Sequence, residues 1–175
     1  MKITLIYIFW ALCSWQSDGF YSLAIAGIEG DQINMSTYAG RKVAILVFDA
    51  AAPDSSLLTR ADSLQRIETT TTFLAVPAGD LSGFSTDSAL MQLHNRLGLS
   101  IPFTQSVLVT RGSDSSQHSL FKWLTDVSLN GHFNRDVEAA GQMFLISEQG
   151  TLYGILSKEA PVADIVDALH QTISQ

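Results

Sequence analysis

Thiol chemistry needs a deprotonated sulfur, and this 175-residue chain holds one cysteine, Cys13. It lies in an apolar N-terminal stretch with no second cysteine or histidine beside it. The four histidines, His94, His118, His132 and His170, lack metal-ligand spacing and read as surface or capping residues. His94 and His170 are expected on exposed helix faces. Ser113, Asp114, Ser115, Ser116 and His118 bring hydroxyls, an acid and an imidazole into one segment. With no nucleophile elbow or oxyanion-hole pattern around them, they read as a solvated turn leading into a helix cap. Gly79, Ser82 and Gly83 lack the lysine and the spacing of a phosphate loop. Asp49, Asp54 and Asp80 follow apolar strand-like runs. Two readings stay open for them: a cation or amine site at the carboxyl ends of central strands, or three solvated loop acids. Asn34-Met35-Ser36 is a formal glycosylation sequon.

The elements that position these residues follow from periodicity. Residues 20–26 and 31–34, separated by Gly27 and Gly30, suggest an opening β-hairpin. The unbroken apolar run 43–48 fits a central strand buried on both faces. Over 55–67, Leu57, Leu58, Ala61, Leu64 and Ile67 recur at helical spacing, with Arg60, Asp62, Gln65 and Arg66 on the other side. Asp54 or Ser55 is placed to cap that helix. A second buried strand is expected at 73–77, led in by the threonines at 69–72, and 79–85 is expected to be a loop. Leu90, Met91, Leu93 and Leu97 mark a helix over 87–97, stopped by Gly98. A short strand is expected at 106–110, and a short helix at 119–124 carries Leu120, Phe121 and Trp123. Trp123 shares a stripe with Leu120 and is expected in the core. Residues 143–147 and 151–156 flank the turn Glu148-Gln149-Gly150. A closing helix opens near Pro161, with Val162, Ile165, Val166, Leu169 and Ile173 toward the core. Alternating β and α units predict an α/β fold: a central mixed sheet with helices on both faces and an N-terminal hairpin.

Composition narrows the function classes. The chain is 46% hydrophobic and 15% charged, with a net charge of −7, which describes one globular domain with a real core. The absence of a basic run argues against nucleic acid and against anionic membrane surfaces. Lys2 followed by the apolar run 3–12 resembles a secretory signal, too short to span a bilayer. Residues 1–17 are therefore expected to be a signal peptide cut between Cys13 and Asp18, and 18–175 the exported domain. Lipid attachment at Cys13 is disfavoured by the bulky Leu12, and no stable membrane span is expected after cleavage.

Four segments in order carry a family resemblance: Phe20-Tyr21-Ser22-Leu23 with Gly30-Asp31, Ser36-Thr37-Tyr38-Ala39-Gly40-Arg41-Lys42-Val43, His118-Ser119-Leu120-Phe121-Lys122-Trp123-Leu124, and Gln142-Met143-Phe144-Leu145-Ile146 with Gln149-Gly150. Together they resemble the glutathione peroxidase family of the thioredoxin-like superfamily. The resemblance implies a thioredoxin-like fold and a peroxidatic cysteine or selenocysteine where the first long strand turns into its helix.

At that place this chain reads Phe48-Asp49-Ala50-Ala51-Ala52-Pro53-Asp54. The resemblance sets Pro53 at the reactive position and Asp54 beside it. Asp80 stands where the family has a glutamine, and Ala139 and Ala140 where it has a tryptophan and an asparagine. No thiol follows Cys13, so no resolving cysteine exists either. The expectation is an exported, degenerate relative without peroxidase activity, acting as a binding or structural module. It uses no cofactor or metal, and its protein or small-molecule partner is unknown. The alternative is an oxidative-stress oxidoreductase with residual redox activity.

Overall fold

A computed structural model describes residues 19–112 and 116–172. The expected signal peptide at 1–17, Ser113, Asp114, Ser115 and Ile173 lie outside the described residues. Among the described residues six strands and five α-helices follow one another: β1 (Ala24–Ala26), β2 (Gln32–Asn34), β3 (Lys42–Asp49), α1 (Ser55–Ile67), β4 (Thr71–Ala78), α2 (Asp87–Leu97), α3 (Ser119–Thr125), α4 (Val127–Asn130), β5 (Met143–Ile146), β6 (Leu152–Leu156) and α5 (Val162–His170).

The main sheet runs β4-β3-β5-β6, while β1 and β2 form a separate antiparallel hairpin. β3 pairs in parallel with β4 from Lys42↔Thr71 to Asp49↔Ala78, and α1 fills the crossover. On its other side β3 meets β5 antiparallel, and β5 meets β6 antiparallel with an irregularity at Leu145/Ile146. This is the expected mixed α/β sheet.

β3 is buried from Lys42 to Phe48, and its alternation divides the core in two. Val43, Ile45 and Val47 face a cluster containing Leu120, Phe121 and Trp123 of α3. Ala44, Leu46 and Phe48 face the opposite cluster, built with Leu57, Leu58, Ala61 and Leu64 of α1, Leu90 and Leu93 of α2, and Ile165 and Leu169 of α5. Each fully buried Leu, Ile or Phe contributes about 1.5–3 kcal/mol over an exposed one, so both faces are committed. Trp123 is buried as expected, its ring 5.4 Å from that of Phe20.

Several expectations need correction. Residues 20–22 form a 3₁₀ turn, so the hairpin begins at Ala24. The strand expected at 106–110 is a single parallel bridge, Ala78↔Val107, in a segment that runs along the free edge of β4 and also bridges Ala75↔Phe103. Ile67, expected on the core face, is the last residue of α1 and is 71% exposed. Met91 and Val162 also face solvent, and Asp62, expected on the polar face of α1, is buried. Among the described residues no helix is long and apolar enough to cross a membrane.

Candidate functional site

The corner to which the sequence points is the end of β3, the entry to α1 and the loop after β4. Asp49, the last residue of β3, turns its carboxylate back on its own loop. Its Oδ1 accepts the N–H groups of Ala51 and Ala52, each at 3.0 Å, and the Ser82 hydroxyl at 2.5 Å. Burial pushes the Asp49 pKa up, but these hydrogen bonds outweigh it and hold the group below the usual aspartate range. Asp54 is the N-cap of α1: its Oδ1 accepts from the Ser56 N–H at 2.9 Å, the Ser56 hydroxyl at 2.7 Å and the Leu57 N–H at 3.3 Å. Those bonds lower its pKa. They also occupy first-turn N–H groups that would otherwise attract an anion.

Asp80 serves a different purpose. It lies after β4 and accepts from the Val109 N–H at 3.1 Å, the Thr110 N–H at 2.7 Å and the Thr110 hydroxyl at 2.6 Å. It thereby fastens the segment beside β4 to the sheet. Burial raises its pKa, and these bonds together lower it.

Ala139 and Ala140 precede Gly141, whose N–H donates to the Val47 carbonyl at 2.7 Å. Gly141 has φ +92°, and a Cβ there would strike Lys158, so only glycine lets this turn close on β3. The two alanines line a small recess with Arg135, Gln142 and Lys158. Lys158 and Glu159 also line the neighbouring recess that contains Asp54. Asp54 and the two alanines thus line two recesses that share Lys158 and Glu159, whereas Pro53 opens toward α2, in a groove with Ala50 and Ala51.

Asp49, Asp54 and Asp80 turn to separate partners rather than to one shared centre. Asp49 and Asp54 each accept through Oδ1, and Asp80 through both oxygens, from N–H and hydroxyl donors of their own surroundings. Among the described residues no group of three or more His, Cys, Asp or Glu is placed to hold a metal ion. His118 is a helix cap, its Nδ1 accepting the Leu120 N–H at 3.2 Å, and burial lowers its pKa. His94 is half-buried, against expectation, with Nε2 3.0 Å from the Ile101 carbonyl and its ring edge-on to Phe103.

Sequence reasoning missed three buried polar anchors. Asp62 accepts the Ser100 N–H at 2.5 Å and the Ile101 N–H at 3.2 Å, and pairs with Arg66 at 2.7 Å. Lys42 sends Nζ to the carbonyls of Leu169 and Gln171, at 2.6 and 2.7 Å. Glu68 meets His170 at 2.9 Å. The signal for Asp62 was present: it sits four residues after the buried Leu58, on the apolar stripe.

No protein-family model matches the chain, and no curated protein matches it in sequence. Solved structures do. The glutathione peroxidase Trgpx superposes with a TM-score of 0.67 at 16% identity, over 86% of this chain and 93% of that one. T. cruzi GPX1 gives 0.66 at 18%, over 86% and 94%. A thiol:disulfide interchange protein of the thioredoxin family from Chlorobium tepidum gives 0.59 at 13%, over 84% and 89%. The chain therefore has a thioredoxin-like fold, of the kind found in glutathione peroxidases.

Proposed function

We propose that this chain is an exported, degenerate relative of the glutathione peroxidases that has lost peroxidase chemistry and acts as a non-catalytic binding module. The observation that carries the reading is at the amino end of α1. There a peroxidase of this fold would present a thiolate held by helix N–H groups. Here Pro53 brings neither a nucleophile nor an N–H, and the Asp54 carboxylate occupies the Ser56 and Leu57 N–H groups. A negative charge at that spot repels both a thiolate and a peroxide anion. Ala139 and Ala140 add no hydrogen-bond donor to the corner from their side chains, and Asp80 is spent on backbone 109–110. The whole chain offers no cysteine after Cys13, and the apolar run 3–12 before that residue supports its removal with an export signal. Fold similarity alone does not carry the reaction.

The test is consumption of hydrogen peroxide and of a lipid hydroperoxide by purified protein, with glutathione or thioredoxin as reductant. The expected rate equals the protein-free blank. Turnover that scales with protein concentration would overturn the reading in favour of a retained oxidoreductase.

A further inference from the structure

The β1–β2 hairpin, the 3₁₀ turn that follows it and the carboxyl half of α2 border a cleft of about 320 Å³. It shares no residue with the recesses at the α1 corner. Ile28, Ile33 and Phe103 line it as buried residues, and the partly buried Tyr38 and Pro102 extend that apolar surface. Backbone contacts hold these walls together. The Ile28 N–H donates to the Phe103 carbonyl at 3.2 Å, and Phe103 bridges Ala75 of β4. The cleft is therefore preformed, as small-molecule sites usually are.

Its fixed charge has one sign. Glu29 and Asp31 line the cleft, and among the described residues no lysine or arginine does. Neither carboxylate takes a hydrogen bond or an ion pair from the described residues, whereas Asp49, Asp54, Asp62 and Asp80 are all engaged. The turn places Asp31: the Gly27 N–H donates to the Asp31 carbonyl at 2.9 Å, and a Cβ on Gly27 would overlap the Asp31 carboxylate. Burial raises the Tyr38 pKa, and the Asp31 charge raises it further, so that carboxylate acts on the phenol. The Ser100 hydroxyl is occupied with Asp62 at 2.7 Å, and His94 Nε2 lies 3.0 Å from the Ile101 carbonyl. Glu29 and Asp31 are left as the unengaged charges beside an apolar surface.

We propose that this cleft binds a small organic cation, an ammonium group carried on an apolar or aromatic body. The ammonium pairs with Glu29 and Asp31, and the body covers Ile28, Ile33 and Phe103. The Tyr38 ring adds an aromatic surface, which also favours a cation. A bare calcium ion is the poorer occupant: it takes about six to eight oxygen ligands, and two carboxylates beside apolar side chains do not supply them. An anion is repelled by the same two charges. The inference goes beyond the reading of the α1 corner and does not depend on it, so peroxide turnover would leave this cleft untouched.

The experiment is an NMR titration of the isotope-labelled full chain with phenethylammonium chloride. Phenethyl alcohol, its uncharged counterpart, and calcium chloride serve as comparison ligands. The amide signals of Ile28, Asp31, Ile33 and Phe103 should shift together and saturate. The alcohol should bind roughly three- to tenfold more weakly, the range for two exposed ion pairs. In the double variant E29Q/D31N the ammonium and the alcohol should bind equally, which isolates the pairing. If that variant loses its dispersed spectrum, E29Q alone, at an exposed position, should narrow the preference roughly twofold or more. Shifts that fail to saturate, or that spread over the acidic surface at large, overturn the inference. So does an ammonium preference that survives both substitutions. Calcium producing the same shifts at lower concentration overturns it in favour of a metal site.

Discussion

The hydroxyl of Tyr153 is buried and has no hydrogen-bond partner among the described residues. Its pKa is pushed up to about 12, first by burial and then by the nearby Glu148 charge. An unpaired buried hydroxyl costs about 1–3 kcal/mol in lost hydration, whereas the ring it sits on contributes packing. Lys42 Nζ lies 5.8 Å from the centre of that ring, so the ring itself has a role and the hydroxyl has none. Tyr153→Phe is therefore expected to leave stability unchanged or raise it by up to about 1 kcal/mol, as read from the urea midpoint. A loss of more than about 1 kcal/mol would mean that the oxygen has a partner.

At the scale of elements, α5 is held to the sheet from its carboxyl end. Lys42, at the start of β3, places its ammonium against the carbonyls of Leu169 and Gln171, where the helix dipole is negative. Glu68, just past α1, reaches His170 from the other side. Lys42→Met keeps the apolar stem and removes the donor. It should cost about 1.5–3 kcal/mol, the value of hydrogen bonds from a charged group. Hydrogen exchange should quicken in α5 and much less in α1, and equal protection in both proteins would remove this role for Lys42.

These anchors also show where the sequence stops being legible. The 43–48 run and the spacings over 55–67 and 87–97 mark β3, α1 and α2 because their cause is local periodicity, which a single chain displays. The positions of Pro53 and Asp54 at the entry to α1 were legible for the same reason, since a cap must precede its helix. Asp62 was not. Its donors, Ser100 and Ile101, come from 38 and 39 residues away, and only the folded chain brings them to it. The single bridge at Val107 likewise follows from the free edge of β4, not from any alternation in 106–110. For Asp49, Asp54 and Asp80 a shared ligand site and three separate loop acids both stayed open, because their strand-end placement was readable while the direction of each carboxylate was not.

For the whole molecule, these local solutions add up to one pH dependence. Asp49, Asp54, Asp62, Asp80 and Asp126 all have folded-state pKa values below the ordinary aspartate value, held there by hydrogen bonds that more than offset burial. A depressed carboxyl pKa contributes stability that is complete above the unfolded value, about 3.9, and is lost as pH falls through the folded value. His118 adds an earlier loss. Burial lowers its pKa, so the unfolded chain takes up that proton first, beginning near its ordinary value of about 6.5. Protonation at Nδ1 would also end its acceptance of the Leu120 N–H. Stability should therefore decline gently below about pH 6.5 and steeply below about pH 4, where the unfolded state binds more protons than the folded one. Urea midpoints measured from pH 7 to pH 3 test both stages. Asp80→Asn should flatten the steep stage and leave the gentle one in place, because Asp80 faces the Val109 and Thr110 donors and not His118. A midpoint that stays constant to pH 3 would show that these hydrogen bonds do not favour the charged carboxylates, and the account of the corner as a set of self-satisfied acids would fail with it.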